Sequence, residues 1–260
     1  MGDAVLGIDV GGTGIKAGAV DILRGRLVGD RLRIQTPRPA DPRNVARVVQ
    51  RVASEVAALH RLAPPIGCTF PGAVVDGIVR TAPNLSAAWV GASAAAVLGE
   101  AVGAPVTVLN DADAAGLAEV AFGAGRGQMG VVVMLTLGTG IGSAVFLHGQ
   151  LLPNTEFGHI ELRGRDAEQL ASDRARQRKR LSWKRWARRL SDYLQHLEGL
   201  VYPDLFILGG GVRADAAHFI PRLTTRAPVV PARLGNTAGI IGAALAAAPS
   251  PRRPPRQRLS

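Results

Sequence analysis

The chain has 260 residues, 47% hydrophobic but only 4% aromatic, so Ala, Val and Leu must fill the core of one large or two modest domains. No apolar span is long enough for a bilayer, no basic stretch precedes an apolar one near Met1, and Leu6 stands where myristoylation needs Ser or Thr; no membrane partner is expected, and the cytoplasm is the expected location. The lone Cys68 excludes an intramolecular disulfide and a multi-cysteine zinc site, while the net charge of +11 is concentrated in residues 173–190 and the C-terminal residues.

In chain order, Val5-Leu6-Gly7-Ile8-Asp9-Val10-Gly11-Gly12-Thr13-Gly14-Ile15-Lys16 comes first: an apolar run ending in an acid, a glycine turn, and a second apolar run to Val20. This predicts a β-hairpin with a tip of phosphate size. Glycine lets the backbone approach an anion with its N–H groups turned inward, Thr13 adds a hydroxyl, and Asp9 stands where a carboxylate could hold Mg²⁺. Taken alone, the hairpin is as readily structural as functional.

Asp41-Pro42 opens a predicted helix through Val45, Val48, Val49, Val52 and Val56. Residues 66–70 read as a short buried strand stopped by Pro71-Gly72, and residues 73–82 as a hairpin around Asp76-Gly77. Asn84 lies in a polar turn before Trp89. A helix over 92–102 and a strand over 106–109 then deliver Asn110-Asp111 to a helix over 112–121. A carboxylate between a strand end and a helix start is either catalytic or an N-cap, and position does not choose between them for Asp111.

Val131-Val132-Val133-Met134-Leu135-Thr136-Leu137-Gly138-Thr139-Gly140-Ile141-Gly142-Ser143-Ala144-Val145 repeats the first hairpin's design half a chain later. Two such tips suggest a duplicated unit that grips phosphates from both sides. Neither has P-loop or dinucleotide-fold spacing, so phosphoryl transfer by another architecture is expected. A helix over 182 to about 200 sets Trp183, Trp186, Leu190, Tyr193, Leu194 and Leu197 on one face, for a core or an interface, and Lys184, Arg185, Arg188 and Arg189 on the other. Residues 205–208 read as a buried strand running into Gly209-Gly210-Gly211, and residues 238–248 as an alanine-rich helix with Gly239 and Gly242 suited to close packing. Residues 249–260 read as a disordered basic tail.

Phosphoryl transfer to a hydroxyl needs a carboxylate to accept its proton and a clamp on the transferred group; a polyol needs several hydrogen-bonding side chains. Asn84, Asn110, Asp111, Glu156, His159 and Glu168 are of the right types.

Together, Asp9-Val10-Gly11-Gly12-Thr13, Leu109-Asn110-Asp111-Ala112, residues 136–142, Glu156-Phe157-Gly158-His159 and Gly209-Gly210-Gly211-Val212 resemble the ROK family of sugar kinases and repressors over roughly residues 4–248. Thr69-Phe70-Pro71-Gly72, Leu181-Ser182-Trp183 with Trp186-Ala187, and Tyr202-Pro203-Asp204-Leu205-Phe206 are similar to its actinobacterial polyphosphate glucokinase branch. The resemblance implies an α/β, two-domain, actin-like ATPase or ribonuclease-H-like fold. Its cleft would lie between residues 1–109 and 110–237, with helix 238–248 packed back on the first part. The implied reaction moves a phosphoryl group from inorganic polyphosphate, or also ATP, to the 6-hydroxyl of glucose.

By the same resemblance, Asp111 is the general base, and Asn84, Asn110, Glu156, His159 and Glu168 bind the hexose. Gly11, Gly12, Thr13, Gly14, Lys16, Thr136, Gly138, Thr139 and Gly140 hold the phosphates, Gly210 and Gly211 meet a nucleotide if one is used, and Asp9 positions Mg²⁺ through water. A homodimer is also implied. Two departures stand out: the family's cysteine-rich zinc loop between His159 and Glu168 is absent, so no zinc is expected, and Ser86-Ala87-Ala88 replaces the branch's usual Asp and Lys before Trp89.

Arg178, Lys179, Arg180, Lys184, Arg185, Arg188 and Arg189 form a patch that either is a solvated helix face or binds a phosphate polymer through counterion release. Two other readings are a strictly nucleotide-dependent hexokinase and a polyanion-binding regulator. The latter is disfavoured because repressors carry a helix-turn-helix before the first hairpin, and no specific nucleic acid is expected as a partner.

Overall fold

The computed structural model describes residues 4–249, and two five-stranded sheets of one plan organise them. In the first, β1 (Ala4–Val10), β2 (Gly14–Asp21) and β3 (Arg26–Gln35) form an antiparallel meander. Helix α1 (Pro42–His60) leads to β4 (Ile66–Phe70), which pairs parallel to β1. A ribbon of β5 (Val74–Val75) and β6 (Ile78–Val79), then α2 (Ala94–Val102), precede β7 (Val106–Asn110), and the order is β3-β2-β1-β4-β7.

After α3 (Asp111–Phe122) the plan repeats. Strands β8 (Val131–Leu137), β9 (Ile141–Leu147) and β10 (Gln150–Leu152) form a second meander. Short helices α4 (Glu168–Ala171) and α5 (Asp173–Arg178) and the long α6 (Trp183–Val201) follow. Next come β11 (Leu205–Gly210), α7 (Ala216–Phe219), β12 (Val229–Pro231) and α8 (Ala238–Ala247), giving the sheet order β10-β9-β8-β11-β12. Parallel strands are covered on both faces, and accordingly every residue of β4 is buried, as are the first five of β11.

Small residues set how close the layers come. A Cβ on Gly242 of α8 would overlap the Ala114 carbonyl of α3, and a Cβ on Gly7 or Gly67 would overlap carbonyls of Ile240 or Ala243. Helix α8 therefore lies backbone to backbone against β1, β4 and α3, and one core cluster joins Val5 and Val20 to Met134, Phe146, Ile240 and Ile241.

The amphipathic helices follow their patterns. Asp41 caps α1, its carboxylate accepting from the Asn44 N–H at 2.8 Å, and Val45, Val49, Val52 and Val56 are buried. Asp41→Ala should lower stability by about 1 kcal/mol, read as an earlier urea midpoint at unchanged slope. In α6, Trp186, Leu190, Tyr193, Leu194 and Leu197 are fully buried against the second sheet, so that part of the face is core, while Trp183 at its start is half-buried. Among the described residues no helix is long and apolar enough to cross a membrane. The predicted disordered tail falls almost entirely on residues 250–260, outside the described residues.

Candidate active site

Strand register assembles the first half of the site. Asp9 stands opposite Lys16 on β2 and Thr69 on β4. Lys16 Nζ lies 2.7 Å from Asp9 Oδ2, and the Thr69 hydroxyl donates to Oδ1 at 2.9 Å while accepting the Val10 N–H at 3.0 Å. At the hairpin tip, the Gly11 N–H donates to the Gly14 carbonyl at 3.1 Å, Arg38 donates to the Gly12 carbonyl at 3.1 Å, and the Thr36 hydroxyl donates to the Gly11 carbonyl. With its carbonyls tied back, the tip leaves the Gly12 and Thr13 N–H groups without a partner among the described residues, a concavity suited to an anion.

The second tip is built likewise. Gly138 donates to the Gly140 carbonyl at 3.0 Å, and the Arg174 N–H ties the Gly138 carbonyl at 3.0 Å. Glu168 accepts the Ile141 N–H at 3.2 Å, and a Cβ on Gly140 would strike its carboxylate. Gly210 pairs beside Leu137 with φ +84°, where a side chain would overlap the Leu137 backbone, so glycine is required at this edge.

The structure separates the roles of Asn110 and Asp111. Asn110 is the N-cap of α3: its Oδ1 accepts the N–H groups of Ala112 at 2.7 Å and Asp113 at 3.1 Å, and its Nδ2 donates to the Gly72 carbonyl at 3.1 Å. Asp111 is thereby released from capping duty, with one oxygen near the Ala112 N–H at 2.9 Å and the side chain on the cleft wall. Burial, then the charge of Asp9, and more weakly that of Glu156, push its carboxyl up to about 7. Burial also raises Glu156, partly offset by His159.

A cleft of about 600 Å³ brings together eleven of the expected residues: Asn84, Asn110, Asp111, Thr136, Gly138, Thr139, Gly140, Glu156, His159, Glu168 and Gly210. Asn84 also abuts the first tip, where a Cβ on Gly12 would lie 3.0 Å from its own Cβ. Asp9, Gly11, Thr13, Gly14 and Lys16 lie in or beside that tip, off the cleft lining, and Gly211 opens an exposed turn beyond it. The basic patch divides. Arg178 and Lys179 line one recess, Arg185, Arg188 and Arg189 line another, and the exposed Arg180 and Lys184 line neither.

Sequence reasoning gave no role to three residues. Thr69 anchors Asp9. Asp166 lies 3.1 Å from His159 Nδ1 and is the main cause of that histidine's raised pKa. Asp113, buried in α3, accepts the Asn154 N–H at 2.8 Å, and the Asn154 amide bridges both backbone groups of Val74. Burial pushes Asp113 up to about 6. This bridge fixes the loop that carries Glu156. The acid three residues after Asn110 was the only available signal, since an Asp inside a helix ordinarily faces water.

The family model described as the ROK family matches residues 5–172. The chain belongs to the ROK family. A polyphosphate glucokinase of Mycobacterium tuberculosis is 49% identical to this ROK protein over 92% of its length and 89% of the relative's. The crystal structure of an inorganic polyphosphate/ATP-glucomannokinase from Arthrobacter sp. strain KM matches with TM-score 0.89 and 48% identity, over 93% of this chain and 97% of that one. A ROK glucokinase from Streptomyces griseus, in complex with glucose and AMPPNP, matches with TM-score 0.80 and 28% identity, over 94% and 99%. The α/β, actin-like fold expected from the sequence is the fold of this ROK protein. In it, Ser86 caps the short turn Ala87–Trp89, and Ala87 lines the cleft.

Proposed function

We propose that the protein transfers a phosphoryl group from inorganic polyphosphate to the 6-hydroxyl of glucose, giving glucose 6-phosphate. The observation that carries this reading is Asp111: a carboxyl pushed up to about 7, on the wall of a cleft beside a glycine tip whose Gly12 and Thr13 N–H groups have no partner among the described residues. A base poised near the working pH accepts the hydroxyl proton as the oxygen attacks, and the N–H groups hold the negative oxygens of the donor. Glu156, His159, Glu168 and Asn84 surround the hexose, with Asp166 orienting His159; Asn110, mostly engaged in capping, contributes position more than contact. The polyphosphate-using relatives in Mycobacterium and Arthrobacter support this donor.

Among the described residues no three His, Cys, Asp or Glu gather around a metal position. One carboxylate, Asp9, already held by Lys16 and Thr69, fits an ion kept mainly by phosphate oxygens and water. When bound, Mg²⁺ would neutralise charge building on the transferred group. Residues 1–109 and 110–237 would act as two lobes that close over glucose, in a cytoplasmic homodimer.

ATP is a second donor on this reading, favoured by Gly210 at the cleft edge and by the nucleotide analogue in the Streptomyces complex. Purified protein incubated with glucose and either donor alone tests both. Glucose 6-phosphate formed from polyphosphate is expected; turnover with ATP only would overturn the principal reading.

A further inference from the structure

Asn154 ties together three pieces of the site that lie far apart in the sequence. Its backbone is left-handed, at φ +56°, a conformation that asparagine takes more readily than most residues. So turned, its N–H donates to Asp113 Oδ2 at 2.8 Å, while its side-chain amide meets Val74 of β5, 80 residues earlier. Oδ1 accepts the Val74 N–H at 2.9 Å and Nδ2 donates to the Val74 carbonyl at 2.8 Å, so the amide takes the place of a strand partner. Asp113 lies on α3, the helix that opens with Asp111. Asn154 stands two residues before Glu156, and Val74 begins the ribbon that leads to Asn84.

Both ends of this link are firmly seated. On the loop, the Ser143 hydroxyl of β9 donates to the Thr155 carbonyl at 2.6 Å and accepts the Phe157 N–H at 3.0 Å. On the ribbon, the Thr81 hydroxyl accepts the Ala73 N–H at 2.9 Å, and the Arg80 N–H donates to the Ala73 carbonyl at 2.8 Å. The loop supplies Glu156 and His159 to the cleft lining, and the far end of the ribbon supplies Thr81, Ala82, Pro83 and Asn84. Val74 is buried, so its backbone groups need partners, and meeting that need is the plainest account of the amide. It does not call for a residue from the loop after β10, nor for a buried acid to steer it. Asp113 Oδ1 has no hydrogen-bond partner among the described residues, so the one bond that this costly interior carboxyl makes is to the Asn154 N–H. Burial pushes the carboxyl up to about 6 against the pull of that N–H, and the charge of Glu156 adds to the rise, which sets Asp113 close to Glu156.

Resting on the glucose reading above, we propose that Asn154, steered by Asp113, is a positioning residue for the sugar: it locks the loop of Glu156 and His159 to the ribbon that leads to Asn84, at the spacing the hexose needs. With the lock removed, the two groups of ligands are less tightly fixed to one another, and the fraction of molecules with both in place falls. Apparent glucose affinity falls by the same factor. A molecule that has bound glucose already has both groups in place, so the lock acts on sugar binding and leaves the transfer step alone.

The test is Asn154→Gly, which keeps the left-handed backbone and the N–H to Asp113 and removes the amide alone. KM for glucose should rise about tenfold, as expected for two lost hydrogen bonds, and the calorimetric Kd for glucose should rise in parallel. At saturating glucose, kcat and the donor KM should stay within about threefold of the wild type. Asp113→Ala should raise the glucose KM in the wild type but add nothing further in the Asn154→Gly background, because it acts through Asn154. If the Gly variant melts early, Asn154→Asp serves: it has the same size, sets a carboxylate oxygen against the Val74 carbonyl, and should give the same rise. A glucose KM and Kd unmoved in a folded variant, or a loss confined to kcat, would overturn the lock and leave the amide a scaffold contact. Additive effects of the two substitutions would overturn the steering by Asp113. The calorimetric arm needs no donor, so it reads the lock even where the polyphosphate assignment fails. A wild type that binds no glucose would overturn the reading on which the lock rests.

Discussion

Asp111→Asn should lower kcat by about 10²–10⁴-fold while glucose binding, followed by quenching of tryptophan fluorescence or by calorimetry, stays within a few-fold. The amide keeps the shape and the contact to the Ala112 N–H but cannot accept the hydroxyl proton. The pH profile supplies an independent check. Because burial and the charge of Asp9 push this carboxyl up to about 7, the base is protonated at lower pH. Wild-type kcat/KM should therefore fall about tenfold per unit below pH 7, and the residual activity of the Asn variant should lack that limb. Unchanged turnover in the variant would remove Asp111 from the chemistry.

The same residue links function to stability. With its folded pKa above its unfolded value, the folded protein binds the proton more tightly, so this group favours folding at low pH and opposes it increasingly from the unfolded pKa up to about 7. Asp111→Asn removes the charge that burial penalises. The variant should melt higher than the wild type at pH 8, with the difference gone below the unfolded carboxylate pKa.

How much of this was legible in the sequence depended on whether a signal was local. The hairpins of β1–β2 and β8–β9 were readable because an apolar run, a glycine tip and a second apolar run are contiguous, and α1 and α6 because their apolar periods span nineteen residues each. Helices α4 and α5, at four and six residues, are too short to show a period. Whether Asp111 caps α3 was undecidable from its position; in the structure the cap is Asn110, whose Oδ1 accepts the N–H groups of Ala112 and Asp113. The aromatic face of α6 reads identically as core or interface until the second sheet is seen against it. Arg163, Arg165 and Arg222 join the basic residues of α5 and α6 only through tertiary packing, so charge counting along the chain found the patch but not its division.

Asp9→Asn should produce the other large effect, for two separable reasons. On the proposed reading Asp9 would hold a hydrated Mg²⁺ against the phosphates, and its loss should then cost about 3 kcal/mol of transition-state stabilisation, roughly 10²-fold in kcat. It should also raise the Mg²⁺ concentration needed for half-maximal rate. Separately, the charge of Asp9 is the second cause, after burial, of the raised pKa of Asp111. Removing it leaves Lys16 as an unopposed cation beside the site, so ionisation of Asp111 becomes easier and the acid limb of kcat/KM should move to lower pH. The limb should still lie above the ordinary aspartate range, because burial remains. A loss of rate with the limb unmoved would mean that Asp9 acts on the donor alone, and that the two carboxylates do not sense one another.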